Sequence, residues 1–177
     1  MTGARAREWL RQRGADGIAH PGGTLYDHLG RVHDRLGELG AGPDLCLAGL
    51  THAAYGTDGF DVALLDVAER ATLRDLVGDD AEALVYRYGA CDRGRSWPAL
   101  ADSAEVTDRF TGTVHRIDPA ELRALVDLSI VNEVDVVAHN PAALDRHGPA
   151  LRRLFAAWSP VASPAVAADA RRVLGGF

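Results

Sequence analysis

The stretch DHLGRVHDRLGELGAGPDLCLAGLTHA, residues 27–53, decides the fold. Leu25, Leu29, Val32, Leu36 and Leu39 recur at three- and four-residue spacing, the stripe of a helix that buries one face, so a helix is expected from about Leu25 to Leu39. Upstream, Pro21-Gly22-Gly23 makes a turn and Thr24 an N-cap, with Asp27 at the third position closing a capping box. Gly40-Ala41-Gly42-Pro43 ends that helix. From Asp44 to Tyr55 the chain is apolar nearly all round, as expected for a helix surrounded by others, and Gly56 is placed to cap it.

Outward from this pair the pattern stays helical. Ala4 to Arg13 is a short helix stopped by Gly14, and Val62 to Val77 and Asp79 to Ala90 are two more, separated by Gly78. Cys91 to Thr107, polar and carrying Gly94 and Pro98, is expected to be an irregular loop. The segment RFTGTVHRI, Arg109 to Ile117, has a Thr-Gly turn between β-favouring residues and is expected to form one small hairpin. Asp118-Pro119 with Glu121 signals the start of a helix running to about His139. Gly148 to Trp158 and Ser163 to Leu174 complete an all-α fold. With no internal repeat and no long linker, residues 1–177 read as one domain.

The chain is 47% hydrophobic and 25% charged, the composition of a folded globular protein. Its net charge of -6 argues against a surface that coats nucleic acid. All 19 basic residues are Arg, so lysine nucleophiles and Schiff bases are excluded. Cys46 and Cys91 have no CxxC or Cys/His spacing and read as reduced thiols of a cytoplasmic protein. No secretory h-region and no apolar run of roughly 20 residues is seen, so no membrane partner is expected.

Chemistry is signalled where polar residues interrupt apolar faces. His28 lies at the edge of the Leu25/Leu29/Val32 stripe, and His52 falls inside the most apolar helix. Ser129 and Asn132 share a stripe with Leu122, Leu125 and Val136. A buried polar group costs roughly 1–3 kcal/mol unless it is paired, so several in one core point to a site. Arg70, Arg93 and Arg109 are candidate anion clamps, because a guanidinium pairs bidentately with phosphate or carboxylate. Tyr55 is placed to donate a proton or to pack. No Walker motif, dinucleotide fingerprint or nucleophile elbow is present.

Residues 27–53 resemble the first two motif helices of the HD-domain superfamily, and most nearly the hydrolase domain of the (p)ppGpp hydrolases. LRDLVGDDAEALV and LVDLSIVNEVDVV resemble later helices of those enzymes, so the similarity spans about Leu25 to Val137. HPGGTLYDHL, AGLTHAAYGT and RFTG also resemble an uncharacterised bacterial family allied to that superfamily. The resemblance implies an HD-like helical bundle with a motif core at about residues 20–139 and a divalent metal for phosphate-ester hydrolysis. Against that pattern, Ala53 stands where the second motif has its Asp, Gly56 and Thr57 replace an acidic pair, and Asn132 replaces the last Asp. His28 and His52 remain as ligands, and His20 at the entry to the first motif helix would make a third. Three histidines suit Zn²⁺ or Fe²⁺ better than Mn²⁺, which prefers carboxylate oxygen. Glu133 or Asp58 would serve as oxygen ligand or general base. The His33-Asp34 dipeptide is set aside, since Asp34 falls nearly opposite the apolar stripe.

The expected function is therefore a small-molecule enzyme, a hydrolase of a phosphorylated or nucleotide-like metabolite. In that reading His28, His52, Tyr55, Asp58 and Glu133 are catalytic, and Arg70, Arg109, Ser129 and Asn132 bind substrate. A metal-free lyase or cyclase using His28 and His52 as acid and base is the alternative, and a non-catalytic ligand-binding domain the third. Hydrolysis of (p)ppGpp itself is not expected.

Overall fold

Thr24 starts helix α2 (Leu25–Glu38) by a capping box in which its hydroxyl accepts the Asp27 N–H while the Asp27 carboxylate accepts the Thr24 N–H. This satisfies two donors that a helix start leaves open. The computed structural model describes residues 2–60 and 62–177, in two compact units, Met1–Ala90 and Cys91–Phe177.

In the first unit, α1 (Thr2–Gln12) ends before Gly14, whose φ of 76° takes the chain out of the helix. A two-residue ladder not expected from the sequence follows: β1 (Ala19–His20) pairs antiparallel with β2 (Gly23–Thr24), His20 opposite Gly23. Helix α3 (Pro43–Thr51) packs on α2 at Gly49, where an added Cβ would lie 2.5 Å from Leu36 Cδ1 and 3.3 Å from Val32 Cγ1. The helix expected to reach Tyr55 stops at Thr51, with His52 as its C-cap, and turns carry the chain to Gly56.

The helix expected from Val62 begins only at Arg70. A 3-10 turn at Val67–Glu69, capped by Asp66, leads into α4 (Arg70–Val77). Residues 62–66 are not helical, because the N–H groups of Leu64 and Leu65 both bond to the Ala54 carbonyl, each at 2.9 Å. Helix α5 (Asp79–Ala90) has the expected bounds.

The second unit is also mostly helical. The segment expected to be a loop holds α6 (Arg93–Ser96), a 3-10 turn at Trp97–Ala99 and α7 (Leu100–Ser103); Asp92 caps α6 by accepting the Arg95 N–H, and Leu100 is fully buried. The hairpin pairs β3 (Glu105–Thr107) with β4 (Val114–Arg116), so its first strand precedes the expected Arg109. Asp108 forms the bend, its carboxylate accepting the N–H groups of Phe110 and Thr111. Asp118 caps α8 (Pro119–Ala138) through the N–H groups of Ala120 and Glu121.

Helix α9 (Pro141–Trp158) starts seven residues before the expected Gly148, because Asn140 caps it and Pro149 is carried inside the helix. In α10 (Pro164–Leu174), Ser163 gives its N–H and hydroxyl to Asp127 of α8 rather than capping its own helix. Among the described residues no helix is long and apolar enough to cross a membrane.

Candidate functional site

Helices α2 and α3 bring His28 and His52 together. Their Nε2 atoms lie 3.4 Å apart, and the residues are 1% and 2% exposed. His52 Nδ1 is 2.8 Å from the Gly49 carbonyl, which can only accept, so this nitrogen carries a proton and donates it. In the neutral ring Nε2 then holds a lone pair, aimed at the ring of His28.

Three other rings surround this pair within the first unit. His20, on β1, stacks on His28 with centroids 4.1 Å apart and planes inclined by 27°. Phe60 meets His20 edge-on at 5.4 Å, and Tyr88 of α5 meets His52 edge-on at 5.2 Å. Asp58 is half-buried in the turn closed by the paired backbones of Thr57 and Phe60. Asp34 is exposed, as its helical position requires, and bonds to Arg7 and His33.

Tyr55, three residues beyond His52, donates its hydroxyl proton to Glu82 Oε1 at 2.8 Å. Burial and the adjacent carboxylate push its phenol well above the ordinary range, so the proton stays with this bond. Glu82, 1% exposed, was not singled out in the sequence. Arg70 grips it as a fork, Nε at 2.7 Å from Oε1 and Nη2 at 2.8 Å from Oε2, while Arg74 Nη2 stands at 3.6 Å. Burial alone would raise the Glu82 carboxyl; the bonds from Arg70 and Tyr55 and the two guanidinium charges outweigh it and hold it below the usual range. The Arg70 guanidinium also lies 3.8 Å above the Tyr86 ring.

The remaining candidates lie in the second unit. Asn132 Nδ2 and Arg93 Nη1 both donate to Glu133 Oε1, each at 3.0 Å. Ser129 spends its hydroxyl on the Leu125 carbonyl one turn back, at 2.7 Å. The Arg109 guanidinium lies 4.6 Å from the centre of the Phe110 ring.

The donor set of the His cluster bears on a metal. Tetrahedral ligands at bonds of about 2.1 Å would place two nitrogens roughly 3.4 Å apart, the spacing of the His28–His52 pair. His20 does not complete such a set, because stacked rings direct their in-plane lone pairs along near-parallel planes that do not converge on one point. Among the described residues no group of three or more His, Cys, Asp or Glu side chains is placed to hold a metal ion. The trio His20, His28 and His52 does not fit a three-ligand site.

Residues 9–93 match a domain family described as a domain of unknown function (DUF6817). The matched segment contains His20, His28, His52, Tyr55, Arg70 and Glu82, and ends just past Ala90, the last residue of the first unit. No curated protein and no solved structure matches the chain.

Proposed function

We propose that the first unit has an HD-like helical arrangement and carries the acid/base centre of a cytoplasmic small-molecule enzyme of the lyase or cyclase type. The observation that carries this reading is the 3.4 Å approach of the two Nε2 atoms, with the opposite nitrogen of His52 fixed on Gly49. His52 Nε2 takes a proton from the substrate as base. His28, entering with both ring nitrogens protonated, gives its Nε2 proton to the departing or closing atom as acid and is left neutral. After turnover His52 holds two protons and His28 keeps only the one on Nδ1, so proton transfer from His52 Nε2 to His28 Nε2 across the same short gap resets the pair. The resemblance to the HD-domain superfamily supports the HD-like arrangement. Cytoplasmic placement is supported by Cys46 and Cys91 being buried thiols outside any disulfide.

A second reading is favoured by one observation, the tetrahedral-ligand spacing of the two nitrogens: hydrolysis of a phosphorylated or nucleotide-like metabolite with a metal held at the pair. One experiment separates the two. The protein, treated with chelator, is incubated with a complex mixture of small metabolites, and mass spectrometry records which species disappear. The parent is expected to consume at least one species, and folded His28→Gln and His52→Gln to do so about 10²–10⁴-fold more slowly. Turnover only after Mn²⁺ or Zn²⁺ is restored selects the metal reading. Equal turnover by the variants overturns both, and binding without turnover leaves a ligand-binding domain.

A further inference from the structure

We propose that Glu82 is a positioning residue for the His28–His52 pair, acting through the hydroxyl of Tyr55; the inference rests on the acid/base reading of that pair. His52 lies just beyond the last residue of α3, and from there to Gly56 the chain makes only short turns, Ala54 N–H to Thr51 and Gly56 N–H to Ala53. The bond from His52 Nδ1 to the Gly49 carbonyl sets the ring direction, and it holds only while the segment that carries His52 is itself anchored.

Helix α5 supplies the anchors. Glu82 receives the Tyr55 hydroxyl at 2.8 Å, and Tyr88 sets its ring edge against His52. Gly89 admits the turn itself, since a Cβ there would lie 2.9 Å from the Gly56 carbonyl oxygen and 3.4 Å from Tyr55 Cβ. An ion pair that only tied α4 to α5 would be served by a carboxylate at the surface. Instead Glu82 is almost fully buried, and Oε1 takes both the Tyr55 hydroxyl and Arg70 Nε. Arg70 thus orients the carboxylate, the carboxylate orients Tyr55, and Tyr55 fixes the turn that aims His52 Nε2 at His28. Tyr55 is a strut in this arrangement and gives no proton to substrate.

Tyr55→Phe and Glu82→Gln distinguish this role from a merely structural one. Tyr55→Phe cuts only the strut, whereas Glu82→Gln keeps an acceptor for Tyr55 and discards the charge that pairs with Arg70. ¹⁵N spectra of the imidazoles in the full chain, at one fixed pH, read the tautomer of His52. The parent should show a single form protonated at Nδ1. Tyr55→Phe should turn this into a mixture of tautomers with little change in melting temperature, and Glu82→Gln should lower the melting temperature while keeping the parental tautomer. A parental spectrum from folded Tyr55→Phe overturns the positioning role and leaves the acid/base reading standing. If the parent itself lacks the Nδ1-protonated form, the acid/base reading fails first. Should Glu82→Gln fail to fold, Tyr55→Phe alone decides.

Discussion

The Nε2 atoms of His28, in the first turns of α2, and of His52, at the end of α3, face each other across 3.4 Å in a part of the first unit nearly closed to solvent. Each nitrogen is a polar neighbour of the other, so removing one ring takes that neighbour from the other. His28→Leu and His52→Leu are each expected to cost about 1–3 kcal/mol, the penalty of a buried polar group that loses a partner. The double variant should cost less than the sum of the two by about 0.5–3 kcal/mol, since no imidazole is then left facing an apolar side chain. Denaturant unfolding of the four proteins measures this coupling, and strict additivity would show that the pair does not interact.

Arg70→Met keeps the aliphatic stem and removes the fork on Glu82. Breaking a buried ion pair costs about 3–5 kcal/mol, and the loss here should sit toward or below the low end, about 2–3 kcal/mol. Arg70 is about one-third exposed and Arg74 remains near the carboxylate. The sign of the pH dependence follows from the depressed Glu82 carboxyl. The unfolded chain binds the proton more readily, so the stabilisation is complete above the unfolded value of about 4.3 and is lost as pH falls through the lower folded value. The gap in melting temperature between parent and Arg70→Met should be full at neutral pH, begin to shrink below about pH 4 and close once the folded carboxyl is protonated. A gap that persists there would assign the loss to packing on Tyr86.

What the sequence made legible follows from where local chemistry is strong. Thr24 with Asp27 and Asp118 with Pro119 mark α2 and α8, because a cap acts through backbone donors a few residues away. Asn140-Pro141 carries the same signal for α9, but Pro149 reads as a later start, and a proline removes one ladder bond without ending this helix. Residues 62–66 deceived the periodicity because their N–H groups reach back to Ala54, a tertiary contact with no local signature. His28 and His52 were found because they break apolar faces. Glu82 was missed because, beside Asp79 and Asp80, it reads as one more acid in a helical first turn. Its spacing to Val85 and Gly89 was the available signal, since all three share the buried side of α5.

Asp127 of α8 titrates with the opposite sign. It accepts the N–H and hydroxyl of Ser163, yet burial outweighs these bonds and lifts its carboxyl above the ordinary value. Its folded form therefore favours the proton, so this contribution is present in acid, below the unfolded value of about 3.9, and is lost as pH rises through the folded value. Asp127→Asn keeps an acceptor for the Ser163 N–H and removes the buried charge. It should match or exceed the parent's melting temperature at pH 7, with the difference vanishing toward pH 3. A clear loss at pH 7 would show that the ionised carboxylate holds the α8–α10 contact better than burial penalises it.

Metal removal tests the donor set directly. An ion that binds only the folded chain stabilises it by RT ln(1 + [L]/Kd), about 2.7 kcal/mol at a concentration one hundred times Kd. For a chain of this size that corresponds to a rise in melting temperature of roughly 5–10 °C. A site closed by His20, His28 and His52 would show such a rise with Zn²⁺ and lose it with chelator. His20 instead stacks on His28, and two nitrogens alone hold an ion weakly, so the parent should melt at the same temperature after chelator treatment and after adding Zn²⁺ or Mn²⁺. The comparison is made with His28→Gln alongside, since adventitious binding at half-buried His33 or exposed His115 would move both proteins equally. A rise of several degrees in the parent and not in His28→Gln would establish a metal at the pair and replace the metal-free proton relay with the hydrolase reading.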